Sequence, residues 1–256
     1  MLRRGPYGRA ATLSGAGSDR GVLKLIGLLS WGPAGWGDEL AFGALVTITL
    51  SLATLPFGFV GGFFLALAKR SRDPLIRVCG QIYTTAFRGV PELLTLFVVY
   101  YGTQFAVSAV STTLFGVTFG VSPFLAGVVA LALVLASYAS EVFLSAFRVI
   151  PNGQYEAAAA MGMHRWLVLR LVIVPQLIRL ALPGLSNLWL NLMKDTALVS
   201  VITLNDLLRQ TQVAVSSTKQ PFFFYAVACL IYLVFSIISS VGIGRIDAWA
   251  SRGARR

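Results

Sequence analysis

Charge, histidine and cysteine are all scarce in this chain of 256 residues: 12% is Asp, Glu, Lys or Arg, with one His and two Cys. The single histidine, His164, has no Cys, Asp or Glu at ligand spacing, so neither a metal site nor histidine-based acid-base chemistry is expected. Cys79 and Cys229 sit in apolar surroundings without metal-type spacing. They supply no disulfide framework or zinc site and read as core thiols. No Gly-Lys pair occurs, which excludes the phosphate-cradling loop G-x-x-x-x-G-K-[ST]. If ATP drives this protein, another chain must bind it. No catalytic cluster is visible, and no cofactor or metal is expected on this chain.

What the chain has in abundance is apolar surface. Hydrophobic residues make up 56% of it and the mean hydropathy is +0.76, more than a water-solvated domain carries. The net charge of +11 would point to nucleic acid in a soluble protein. In a membrane protein it marks topology instead, so no nucleic-acid partner is expected. A spanning helix needs roughly 20 mostly apolar residues. Residues 40–68, 93–140 and 220–244 carry no charge, and 171–204 carries only Arg179, Lys194 and Asp195. The pattern predicts an all-α integral membrane protein with five spans, at roughly 41–68, 80–106, 124–147, 175–200 and 221–243. A basic N-terminal arm (1–39), a transmembrane domain (40–246) and a basic cytoplasmic tail (247–256) complete the division. Within the arm, 1–20 reads as disordered. Residues 22–31 read as an interfacial helix with Leu25, Ile26, Leu29 and Trp31 toward lipid.

Eleven Lys and Arg follow the first, third and fifth spans, against two, Arg209 and Lys219, after the second and fourth. Basic connections stay cytoplasmic, so the N-terminus is expected outside and the C-terminus inside. Arg3, Arg4, Arg9, Arg20 and Lys24 oppose this assignment, while Asp38 and Glu39 flank the first span.

The connection after the third span is the most informative segment. Pro151-Asn152-Gly153 marks a turn, and Glu156 with Ala157, Ala158, Ala159 and Ala160 favours a short surface helix. Gly162 fits a left-handed stop, and Pro175 the start of the next helix. Glu156-Ala157-Ala158, three residues, Gly162, nine residues, then Val172-Ile173-Val174-Pro175 resembles the E-A-A-x3-G-x9-I-x-L-P signature of bacterial ATP-binding-cassette (ABC) importer permeases. Val172 and Val174 replace the usual Ile and Leu. Phe87-Arg88-Gly89-Val90-Pro91-Glu92, Ser140-Glu141-Val142-Phe143, Ala181 to Asn187 and Lys194 to Ser200 resemble polar amino acid permeases. The likeness runs over about 40–246, toward the histidine/lysine/arginine/ornithine and octopine/nopaline subunits.

That resemblance implies a five-transmembrane-helix type I importer core in the bacterial inner membrane, with the 151–162 segment as a cytoplasmic coupling helix. It also implies two copies of an ATPase subunit that binds ATP and Mg, a periplasmic binding protein, and a paralogous permease or a second copy of this chain. A secondary transporter would show discontinuous repeats, and no internal repeat is found. A membrane enzyme would need a catalytic cluster. The charges inside the spans, Arg88, Glu92, Glu141, Lys194 and Asp195, should face protein or water and are the candidates for a cationic substrate's path. Arg88 and Glu92, four apart on the expected second helix, are placed to neutralise each other. Glu141, near Ser137, Tyr138 and Ser140, is the first choice for the path.

Overall fold

The computed structural model describes residues 25–32, 35–115, 117 and 120–252. They form helices α1 (Gly37–Lys69), α2 (Pro74–Gly89), α3 (Glu92–Phe115), α4 (Pro123–Val149), α5 (Asn152–Ala160) and α6 (Arg165–Val168). A π-helical turn (Leu169–Ile173) leads into α7 (Val174–Asp195) and a 3-10 segment (Thr196–Ile202), followed by α8 (Leu207–Thr218) and α9 (Pro221–Arg252). Five helical stretches, Gly37–Lys69, Glu92–Thr113, Pro123–Val149, Arg165–Ile202 and Pro221–Ala248, are long and apolar enough to cross a membrane. The expected all-α, five-span architecture is present.

The centre of the bundle is the contact of α1 with α4, and small residues make it. A Cβ added to Gly62 would stand 2.5 Å from the Ala139 Cβ and 3.0 Å from the Ala136 carbonyl oxygen, so only glycine allows this approach. Hydroxyls are the other ingredient. Thr47, Ser51, Thr54, Ser137 and Ser140 are buried and donate to carbonyls three or four residues back in their own helices. Each of these five hydroxyls is thereby satisfied within its own helix.

Three expectations are corrected. The helix expected at 80–106 is two helices, because Val90 is extended (φ −94°, ψ 136°) ahead of Pro91. Proline disfavours helical geometry in the residue before it and donates no N–H. The first piece, α2, has 16 residues, about 24 Å and too short to span. It is capped by Asp73, whose carboxylate accepts the Leu75 N–H at 2.8 Å, and it buries only Gly80 and Thr84. Second, Pro175 stands in the first turn of α7, as expected, but α7 is not a fresh start. The helix begins at Arg165 and passes through Pro175 after the π turn, where the Val174 N–H reaches back to the Leu169 carbonyl. The wider turn accommodates a residue that clashes with an α-helical carbonyl and lacks the N–H. Third, Cys79 and Cys229 are exposed on α2 and α9. Apolar neighbours in a membrane helix mark a lipid-facing surface as readily as a core.

Of the N-terminal arm, 1–24 lies outside the described residues, and with it the disorder expected for 1–20. Residues 25–27 form one helical turn. Leu29 packs toward Leu40, Leu207 and Phe224, while Ile26 and Trp31 are exposed. At the other end α9 runs on through Arg252, and 253–256 is likewise not described.

Candidate functional site

Two charged clusters are built where α4 meets its neighbours. The first lines a cavity of about 270 Å³ between α3, α4 and α7. Glu92, Tyr138, Asn191 and Asp195 supply its polar wall, and leucine and valine side chains of α4 and α7 the rest. Glu92 opens α3, where the helix dipole favours a carboxylate; Asp195 closes α7, where it does not. Their carboxyl groups line the same cavity, close enough to interact. Two interacting carboxylates repel when both are ionised, so the pair demands a proton or a cation. Lys194, next in the chain to Asp195, is exposed.

The second cluster holds Glu141. Lys69 Nζ lies 2.7 Å from Glu141 Oε1 and donates also to Ser140 Oγ at 3.1 Å. Arg88 Nη1 stands 3.5 Å from the same carboxylate oxygen. The expected pairing of Arg88 with Glu92 does not form: the break at Val90 and Pro91 puts them on different helices, and Arg88 turns to Glu141. Its guanidinium lies 5.6 Å from the Tyr138 ring centre, and Tyr138 also lines the carboxyl cavity, so this one ring borders both clusters. The sequence pointed to Glu141, Glu92 and Asp195 but not to their arrangement. It also missed Lys69, counted there as a connection charge; its side chain is only 4% exposed. Its place at the end of an uncharged run was the available signal. Asn191 carried none.

The short surface helix is α5. Its end is built as expected: Gly162 has φ +78°, the Gly162 N–H donates to the Ala159 carbonyl at 2.9 Å and the Met163 N–H to the Ala158 carbonyl at 3.1 Å. This paired closure needs a residue at positive φ, which glycine adopts without strain. Ala158 is buried against the ends of α1, α4 and α6, while Glu156 and Ala157 face out. Arg70 fastens the helix to α4, with its guanidinium 4.2 Å from the Phe147 ring centre and donating to the Tyr155 hydroxyl at 3.4 Å.

Outside the spans, burial pushes the Asp206 carboxyl up to about 6 against the opposing N–H groups of Arg209 and Leu208, which it accepts as the cap of α8. The Tyr83 hydroxyl donates to the Leu133 carbonyl at 3.0 Å and so holds α2 to α4. Among the described residues no group of three or more His, Cys, Asp or Glu is placed to hold a metal ion.

Residues 56–252 match the family described as binding-protein-dependent transport system inner membrane component. The nopaline transport system permease protein of Agrobacterium fabrum is 44% identical over 230 residues, spanning 89% of this chain and 98% of the relative. The histidine/lysine/arginine/ornithine transport system permease protein of Escherichia coli is 36% identical over 224 residues, 83% of this chain and 98% of that one. Among solved structures, a chain from an amino acid ABC transporter crystallised with histidines superposes with a TM-score of 0.70 at 30% identity, covering 83% of this chain and 94% of that chain.

Proposed function

The chain belongs to the family of binding-protein-dependent transport system inner membrane components and is the permease subunit of an ABC importer, and from that premise we propose that its cargo is a basic amino acid or an opine guided past Glu92 and Asp195. The observation that carries the proposal is the convergence of those two carboxyl groups on one cavity between three spans. A cation leaving water recovers its hydration energy from fixed oxygens. A carboxyl pair whose neighbouring cation, Lys194, is exposed offers that, with the Tyr138 and Asn191 side chains as further polar partners. Glu141 offers less, because Lys69 and Arg88 already neutralise it; its place is at the edge of the path, behind the Tyr138 ring. Relatives whose names specify nopaline and basic amino acids support the same substrate class.

The assembly accompanies the reading. A family named for binding-protein dependence works with a substrate-binding protein and an ATPase in the inner membrane. Two ATPase copies carry ATP and Mg, and α5 is the coupling helix that docks on one of them through Glu156, Ala157, Ala158 and Gly162. The second permease is a paralogue or another copy of this chain. The N-terminus is periplasmic and the C-terminus cytoplasmic, as the basic connections require. The experiment is uptake of labelled arginine or histidine by vesicles holding the whole complex, with ATP hydrolysis measured on the same preparation. Glu92→Gln and Asp195→Asn are each expected to lower uptake about tenfold, since one charge-assisted contact is worth about 1.5 kcal/mol or more. Hydrolysis stimulated by the binding protein should fall much less. Equal loss of both activities would make the pair a packing feature, and unchanged uptake would take it off the path.

A further inference from the structure

Two cavities lie end to end where α1, α4 and the run beginning at Arg165 approach the α5 side of the molecule. The outer one, about 580 Å³, has Arg70, Arg72 and Arg165 in its wall beside Phe147 and Tyr155, with no acidic residue in its described lining. The inner one, about 390 Å³, is walled by apolar side chains, Phe59, Phe63, Phe64, Phe143 and Ile178 among them, with Trp166 and Arg170 at its edge. Leu169 lines both. Chain register makes them one continuous feature. Passing from the outer to the inner cavity steps back along α1 from Leu67 to Phe63 and Phe59, and back one turn of α4 from Phe147 to Phe143. On the third side it steps forward from Leu169 to Val174 and Ile178. The eight steps of helical rise from Leu67 to Phe59 alone give a depth of about 12 Å.

We propose that this feature is a binding site for an anionic phospholipid, with its headgroup phosphate among Arg70, Arg72 and Arg165 and one acyl chain in the phenylalanine groove. Planar guanidinium groups bind phosphate oxygens two at a time, and a basic pocket between spanning helices at the membrane surface is where anionic headgroups are held. Arg70 is positioned beforehand by its stacking on Phe147. The groove is open to the bilayer side, with Phe64 58% and Ile178 51% exposed, so a chain enters laterally. A free anion or an acidic protein side chain would use the outer cavity alone. Only a lipid has a use for both halves. The π-helical turn carries Leu169, the shared wall, and Arg170, at the rim of the groove. The same backbone feature that accommodates Pro175 thus shapes the seam between headgroup and chain.

The test is native mass spectrometry of the detergent-solubilised permease with its ATPase, titrated with phosphatidylglycerol or phosphatidylcholine. The intact complex should retain phosphatidylglycerol preferentially. Arg72→Gln with Arg165→Gln should lower that retention about fivefold per arginine, while the corresponding pair of lysine variants keeps most of it. Ile178→Trp, at a half-exposed position that tolerates bulk, should fill the groove and lower retention with all three arginines in place. Equal retention of the two lipids overturns the proposal. So does displacement of the lipid by inorganic phosphate with Ile178→Trp inert, which would mean a free-anion site. Release of the ATPase by the glutamine pair with lipid retention unchanged would show that these arginines face the ATPase instead.

Discussion

Helices α4 and α9 are both apolar, with mean hydropathies of 2.0 and 2.4 over their best windows, yet 67% of the α4 window is buried inside the protein and 6% of the α9 window. Hydropathy therefore does not tell a central span from a peripheral one. The size of the side chains at the contact does. The α4 face against α1 is Leu135, Ala136, Ala139 and Ser140, whereas α9 presents exposed Phe222, Leu230, Leu233, Ile237 and Ile238. Lipid tails are as apolar as leucine, so nothing drives a large aliphatic side chain inward. Close backbone approach and satisfied hydroxyls are what assemble the centre.

The strongest way to break this contrast is to add bulk where the centre has none. Gly62→Leu puts side-chain atoms where the Ala139 Cβ and the Ala136 carbonyl already stand. Backbone cannot give way as a flexible side chain does, so the cost exceeds the ~1–3 kcal/mol of ordinary overpacking. Little folded protein is expected by size-exclusion chromatography of a fluorescent fusion. Gly242→Leu in α9, where an added Cβ meets nothing within 4 Å, should elute like the parent.

Next in size is the buried charge on the α4 side. Lys69→Met leaves Glu141 with only the longer Arg88 contact and should cost about 3 kcal/mol in a detergent melt. Adding Glu141→Gln removes the stranded carboxylate and should restore most of the loss. If the double variant is no better than the single one, the lysine acts through packing rather than through the pair.

How much of this was legible follows the same division. The five spans and the Gly162 stop are local patterns, one of apolar run length and one of a residue that tolerates positive φ, and both are present. The break at Pro91 was also readable, since Gly89-Val90-Pro91 is a poor helix interior; the apolar run across it hid the signal. Lys69 and the meeting of Glu92 with Asp195 were not readable. The two carboxyl groups are 103 positions apart and come together only through the packing of α3 against α4 and the 3-10 segment that follows α7. The π turn at Leu169–Ile173 has no local signature other than the proline it precedes.

A smaller effect is expected at the junction between core and periphery, where Asp206 caps α8 beside Gly43 of α1. Burial raises the folded carboxyl to about 6 from the ordinary 3.8, so the folded state holds the proton more tightly than the unfolded one. Stability is then greatest below pH ~4, falls as pH rises through ~6 and levels off above ~7, with about 2 kcal/mol of the decline between pH ~4 and ~7. Asp206→Asn keeps a competent cap and removes the titration. Melts of the two proteins from pH 4 to 7 should show the decline in the parent alone; a matching decline in the variant assigns it to another group.

The smallest effect is expected at Ile238, 64% exposed on α9. In water, trimming a buried isoleucine to alanine costs about 2–5 kcal/mol, through lost transfer free energy and the cavity left behind. Neither term operates on a lipid-facing side: the chain is solvated by hydrocarbon before and after, and lipid fills the space. Ile238→Ala should therefore change the melting free energy by less than about 0.5 kcal/mol. Alanine is also the better helix former, which works in the variant's favour. The same substitution tests what else α9 touches, given the second permease proposed above. If Ile238→Ala leaves the single chain's melt unchanged but loosens the permease pair on size-exclusion chromatography, this face of α9 is an interface. Its low burial would then belong to the isolated chain. If neither moves, α9 is peripheral in the assembly as well, and the contrast with α4 is one of centre against lipid.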